Sequence, residues 1–382
     1  MKISLKLLPM SVIIFSLMGC NEKKTEAKTE LKEDISKSET IEILVGTYTN
    51  ETSKGIYKLA FNPADGTLEN KVLVVESTSP SFLIQSKDKQ FVFAVNEKDP
   101  GKITSFKWNS SRSELEEMNT VESMGSGPCH IELNNKENLL SVANYGSGNI
   151  AVYPVNNGKI IDSVQVRQHM GSSIVVPNQK SPHAHCSKFD KQGKFLYVAD
   201  LGIDQIVSYP VDADGILGEK QTALDLDKGD GPRHFIFHPS KNLAFVVNEL
   251  SSTVTAVKVN HETGIFEKID KQSTLPKDYS EKSYCADIHI SSNGKFLYAS
   301  NRGHNSIAVF SVSDEGKLEL LQTESVQGDW PRNFTFSPDE KFLLVANQNS
   351  DNITVFNINP ETGLLAYTGN EIKISKPVCL EF

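Results

Sequence analysis

From Ile41 onward the chain alternates short apolar runs with turns rich in Gly, Asn and Asp, the pattern of successive β-strands. One run, usually opened by proline, recurs along the chain. It reads PSFLIQS at Pro80, PCHIELN at Pro128, PHAHCSKFD at Pro182 and PRHFIFH at Pro232, then CADIHIS at Cys285, PRNFTFS at Pro331 and PVCLEF at Pro377. The starts lie 48, 54, 50, 53, 46 and 46 residues apart. The first six copies are followed by a second run that ends in Asn or Asp: FVFAVN, LLSVAN, FLYVAD, LAFVVN, FLYASN and FLLVAN. A third strand such as NIAVYPV or NITVFNI and a more variable fourth, such as LELLQTES, complete the unit.

Four strands in each unit of roughly 40–55 residues predict the blade of a β-propeller. The chain ends then complete each other. Pro377–Phe382 is a first strand without a blade, and residues 41–78 supply three strands without a first strand. Together they predict an all-β, seven-bladed ring closed by pairing the C-terminal strand with the N-terminal ones, which removes the open sheet edge. The length of 382 residues, which alone allows two or three domains, therefore reduces to one propeller over 41–382.

Residues 1–20 (MKISLKLLPMSVIIFSLMGC) are read differently. Lys2 and Lys6 precede an apolar segment too short to span a bilayer, which takes roughly 20 residues, so a signal peptide is expected. Leu17-Met18-Gly19-Cys20 is similar to the bacterial lipobox, in which the cysteine is lipidated and becomes the mature N-terminus. Residues 21–40 are charged and lack aromatics, the composition of a flexible tether. The expected location is the bacterial cell envelope, with the membrane reached only through the lipid anchor.

Charge narrows the partners. The net charge of −9 becomes −11 when residues 1–19, with Lys2 and Lys6 and no acid, are removed. Such a surface disfavours nucleic acid as a partner. Five cysteines without a CxxC pair point neither to a disulfide scaffold nor to zinc, so no metal is expected. Cys129, Cys186, Cys285 and Cys379 all fall on first strands and read as small buried groups, with disulfides between them left open. The pattern carries no signal for oligomeric state.

In a ring of copies, residues shared by all blades are architectural and polar residues found in one blade are candidates for chemistry. The Asn/Asp column (Asn96, Asn144, Asp200, Asn248, Asn301, Asn347) is expected to bond backbone at the strand-to-turn transition. An oxygen ring for Ca2+ is the less favoured reading, since the column holds one formal charge. The single-blade residues are His130, His183, His185, Arg233, His234, Asp287, Glu249, Arg302 and Arg332, expected near one mouth of the central channel. Strand alternation means that about half of them face elsewhere.

The segments SPHAHCSKFDKQGKFLYVADLGIDQI, GPRHFIFHPSKNLAFVVNEL and GKFLYASNRGHNSIAVF resemble the seven-bladed lactonase family. That family includes the bacterial propeller-type 6-phosphogluconolactonases and the fungal carboxy-cis,cis-muconate cyclases, and the resemblance covers residues 41–382. It implies a catalytic set of His185, Arg233, Glu249 and Arg302, carried by PHAH, GPRH, NEL and SNRG. All four are among the single-blade residues. His130, His183, His234, Asp287 and Arg332 then remain as substrate-binding candidates.

Hydrolysis of a lactone needs an acceptor for a proton of water, a role open to neutral His185 or to Glu249. It also needs positive charge at the developing oxyanion, which Arg233 and Arg302 can supply, or they can grip an anionic group. Glu249 can instead orient Arg233 by an ion pair. The expected substrate is a sugar or other anionic lactone, without a cofactor. Two other readings stand beside it: a non-catalytic, lipid-anchored propeller that binds a ligand or a protein, and a cyclase of the muconate type. The lipobox and tether depart from the family's cytosolic sugar-phosphate enzymes. No GxSxG, P-loop or dinucleotide fingerprint occurs.

Overall fold

Residues 39–382 are described by a computed structural model. The proposed signal, Cys20 and nearly all of the proposed tether lie outside the described residues. Seven antiparallel sheets follow one another, without a helix among the described residues. Blade 1 orders its strands Pro377–Glu381, Ile41–Thr47, Gly55–Phe61 and Leu68–Glu76 from the channel outward. Blade 2 runs from Leu83–Gln85 to Leu115–Glu122, and blade 3 from Pro128–Leu133 to Gln165–Gln168. Blade 4 runs from Ala184–Phe189 to Gln221–Asp225, and blade 5 from Pro232–Phe237 to Ile265–Ser273. Blades 6 and 7 run from Tyr284–Ile290 to Leu318–Ser325 and from Pro331–Phe336 to Leu365–Lys373. Blade 3 adds a two-residue strand, Lys159–Ile160, beside its third strand.

The ring closes as the repeat predicts. Leu44 pairs with Glu381, Val45 with Leu380 and Gly46 with Cys379. Gly46 is needed by close approach rather than by its backbone angle: a Cβ there would collide with the carbonyl oxygen of Pro80 and press on Cys379.

The core lies between blades, which explains why the second strands are apolar without alternation. In Phe195–Asp200, Phe195, Tyr197 and Ala199 pack with Phe235, Val246 and Phe266 of blade 5. Leu196 and Val198 point the other way, to Val152 and Leu139 of blade 3. A strand sandwiched between two neighbouring sheets buries both faces, so its run is continuously hydrophobic.

In blades 2, 3, 4, 6 and 7 the Asn/Asp column ties the blade to the loop entering it, while in blade 5 it bonds the blade's own third strand. Asn96, Asn144, Asn301 and Asn347 donate to the carbonyls of Thr78, Ser123, Thr274 and Val326. Asp200 accepts from the amides of His183 and Gly202, and Asn248 bonds the Thr253 and Thr255 hydroxyls. The four cysteines on first strands are buried free thiols.

Candidate active site

Each first strand starts at the channel mouth where the second strand of the same blade ends. The residue just after the Asn/Asp column is therefore delivered beside the second residue of the first strand. In blade 5 this puts Glu249 against Arg233, with Oε2 3.1 Å from Nε. The same oxygen lies 2.8 Å from Nη2 of Arg302, which blade 6 contributes from its corresponding position. One carboxylate thus holds two guanidiniums, all three largely buried, at 3%, 14% and 6% exposure for Arg233, Glu249 and Arg302.

The arginines are braced from behind. Nη1 of Arg233 donates to the Ala286 carbonyl at 2.5 Å, and Nη2 of Arg302 to that of Cys285 at 2.9 Å. Trp330 stacks on Arg302, with Cζ 5.3 Å from the ring centroid. Its backbone sits in the left-handed region at φ 66°, uncommon for a bulky residue, and hydrogen bonds from its amide to Asn305 and from the Gln348 amide hold it there. Nη2 of Arg233 and Nη1 of Arg302 donate to no described residue and remain available to a ligand.

His185 comes from blade 4. Its ring stands 5.6 Å from Tyr145 and 5.2 Å from His234, and neither nitrogen makes a hydrogen bond within the described residues; Nδ1 is fully buried. Burial, reinforced by Arg233 and other nearby cations, holds the imidazole well below its ordinary pKa, so it is neutral. Burial would raise the Glu249 carboxyl, but Arg302, Arg233 and Arg332 together keep it below the usual range. Burial and the neighbouring arginines lower Arg233 to about 10, which still leaves it charged at neutral pH. His185 is therefore the better proton acceptor of the two, and Glu249 the clamp.

The remaining candidates separate. Arg332 joins the same mouth, where its Cζ lies 5.3 Å from the Tyr48 ring centroid and its Nη2 3.7 Å from Glu97 Oε2. His183 stacks on Tyr145 at 4.4 Å and bonds the Tyr145 carbonyl through Nδ1 at 2.7 Å, which makes it a wall of the mouth. His130 and Asp287 do not gather there, while His234 touches both sides, against Arg233 and 5.2 Å from the His185 ring. All three line a cavity of about 340 Å3 that opens beyond the channel's midpoint, with Lys188, Glu132 and Glu381. The pleat explains the split, since each follows, by one residue, the position that faces the mouth.

Asp287 is held by five donors: His234 Nδ1 at 2.9 Å, His289 Nε2 at 3.1 Å, Asn333 Nδ2 at 2.6 Å, and the Ile288 and Phe334 amides. His234, lowered to about 4 by burial and by Arg233, is neutral; with its Nδ1 proton on Asp287, Nε2 accepts from Arg233 Nη1 at 3.3 Å. Asp287 thus reaches the mouth through His234, whose ring adjoins both Arg233 and His185.

Five residues of the mouth were not among the sequence candidates: Tyr48, Glu97, Tyr145, Trp330 and Gln348. Tyr48 occupies blade 1's place in the column that holds Glu97, Tyr145, Glu249, Arg302 and Gln348. It went unseen because Thr47 stands where the other blades have Asn or Asp. Aligning the closing blade with the other six would have found it.

A propeller whose single-blade residues assemble a carboxylate-clamped arginine pair beside a neutral histidine matches one family model, "Lactonase, 7-bladed beta-propeller", over residues 42–382. The chain belongs to that family. It is a lactonase. The lactonase is 33% identical over 341 residues to a 6-phosphogluconolactonase of Bacillus subtilis, covering 88% of this chain and 97% of that one. Its fold superposes on a periplasmic gluconolactonase of Pseudomonas aeruginosa with a TM-score of 0.84 and 31% identity, covering 89% and 98% of the two chains. A protein from Lactobacillus plantarum gives a TM-score of 0.84 at 33% identity, with the same 89% and 98% coverage.

Proposed function

We propose that the lactonase hydrolyses a sugar lactone at the mouth formed by blades 4 to 6, with His185 as the proton acceptor and Arg233 and Arg302 as the oxyanion site. The observation that carries this reading is the Glu249 clamp. It presents two guanidiniums side by side, each with a free donor, next to a neutral and unbonded imidazole.

In this mechanism a water that donates its proton to His185 attacks the ester carbonyl. Negative charge grows on the carbonyl oxygen and is met by Arg233 Nη2 and Arg302 Nη1. Fixed donors in a water-poor site cost little reorganisation at that moment, and losing one such donor typically costs about 10²–10³ in kcat. Collapse of the tetrahedral intermediate breaks the ring C–O bond, and the proton held by His185 passes to the leaving alkoxide. The products are a free hydroxyl and a carboxylic acid, which ionises to the carboxylate and releases its proton to solvent.

The test is a panel of glucono-δ-lactone, 6-phosphoglucono-δ-lactone and a muconolactone, assayed by acid release with and without EDTA. Hydrolysis of a sugar lactone that is abolished in Arg233→Ala, with the fold retained, supports the reading. Inactivity on all sugar lactones, or an undiminished Arg233→Ala, refutes it.

The lactonase is also proposed to be exported and held to the membrane through lipidated Cys20. Support comes from the Leu17-Met18-Gly19-Cys20 motif, and the Pseudomonas aeruginosa relative is itself described as periplasmic. Labelling with a fatty-acid analogue that persists in Cys20→Ser would overturn the anchor.

A further inference from the structure

The three arginines of the mouth are not equivalent. Arg233 and Arg302 each spend donors on a backbone carbonyl and share Glu249. Arg332, at 16% exposure, donates a hydrogen bond to no described residue. Its nearest carboxylate is Glu97, whose Oε2 lies 3.7 Å from Nη2, beyond hydrogen-bond reach. That oxygen is already occupied: the Tyr48 hydroxyl donates to it at 2.8 Å, and so does the Ser81 hydroxyl. Glu97 and the Tyr48 ring therefore keep Arg332 in place and charged while its planar fork of donors is unspent.

Three further observations place a ligand there. Arg332 and Arg233 both line one void of about 10 Å3, with Ser81, Cys129, His234 and Asn333, so the two arginines adjoin each other at the base of the mouth. Gln348 follows Asn347 in blade 7 as Glu249 follows Asn248 in blade 5, and its Oε1 is buried without a partner. A buried acceptor with no donor is costly unless a ligand hydroxyl meets it. Finally, three guanidiniums against two carboxylates leave the mouth one positive charge in a protein whose net charge is −9.

We propose that Arg332 is the anion subsite of the lactonase, taking a phosphate or carboxylate carried by the substrate apart from its lactone carbonyl, with Gln348 accepting from a substrate hydroxyl. The assignment rests on the hydrolytic reading above and narrows its substrate to hydroxylated lactones that carry a second, anionic group. Arg233 and Arg302 are thereby left to the oxyanion.

The experiment compares kcat/KM for 6-phosphoglucono-δ-lactone, glucaro-δ-lactone and glucono-δ-lactone in the wild type, Arg332→Gln and Arg332→Lys. Losing a charge-assisted hydrogen bond should cut the preference for the favoured anionic lactone over the neutral one by about 10- to 100-fold in Arg332→Gln, expressed in KM rather than kcat. Arg332→Lys keeps the charge without the fork and should recover part of that preference. The phosphate and carboxylate arms tell which anion is preferred. An unchanged preference, or an equal loss on all three lactones, overturns the subsite.

Calorimetric titration with 6-phosphogluconate, glucarate and gluconate needs no turnover and separates the two readings. Tighter binding of either acid that carries a second anionic group, dependent on Arg332, in a protein that hydrolyses no lactone, would sink the hydrolytic reading and keep the subsite. Equal binding of all three acids by the wild type would sink the subsite alone.

Discussion

Replacing Glu249 by glutamine keeps the shape of the side chain and removes the one charge that separates Arg233 from Arg302. The carboxylate lies 3.1 Å and 2.8 Å from the two guanidiniums and is only 14% exposed, so solvent replaces little of what is lost. Deleting one partner of a buried ion pair costs about 3–5 kcal/mol, mostly because the other charge is left buried and unpaired. Here two like charges remain together, while the new amide keeps a carbonyl oxygen for one of them, and the loss is expected near the lower bound, about 3 kcal/mol. In a domain this large 1 kcal/mol moves Tm by about 2 °C, so Glu249→Gln should melt roughly 6 °C lower. Circular dichroism melts at pH 7 measure this directly. The same variant should lose on the order of 10²-fold in kcat/KM because the oxyanion donors are no longer fixed. The acid limb of its pH–rate profile should stay where it is in the wild type, since His185 still accepts the proton. A Tm change below about 1 °C would show that Glu249 does not hold the arginine pair. Disappearance of the acid limb would make Glu249, rather than His185, the base.

Three other outcomes follow from the same geometry. Wild-type activity should persist well below pH 6.5, because burial and Arg233 depress His185 and only its neutral form accepts a proton; His185→Gln should abolish that acid limb along with most of the rate. Removing Pro377–Phe382 takes Val378 and Leu380 out of the core and uncovers the edge of Ile41–Thr47; at about 1.5–3 kcal/mol for each large side chain, Tm should fall by roughly 10 °C, and an unchanged melt would refute ring closure. Asp287 is buried, which alone would raise its carboxyl, yet His289 and His234 hold it well below its ordinary value. A depressed carboxyl stabilises the fold above its unfolded pKa of about 3.9 and loses that contribution as pH falls through the folded value, so Asp287→Asn should be less stable at pH 7 and flatten the acid side of the stability curve.

Much of this site is legible in the sequence. Arg233, Glu249 and Arg302 stood out because most blades carry uncharged residues at the positions they occupy, and the structure brings both arginines onto Glu249. His130, His234 and Asp287 stood out by the same test, yet they line the far cavity, because adjacent residues on a strand face different spaces and repetition alone does not say which. Tyr48 and Trp330 were hidden for other reasons. One belongs to the blade split between the chain ends, and the other sits in a loop outside the repeated strands.

The sequence by itself determined the number of blades, the closure of the ring and the residues that depart from the repeat, because these depend on spacing along the chain. What only the tertiary structure decided is how those residues divide. Glu249 spends its charge on two arginines, Glu97 stays beyond hydrogen-bond reach of a third, and His185 is left without a partner. Charge pairing depends on ångström-scale separations between side chains of different blades, and no repeat unit contains that information.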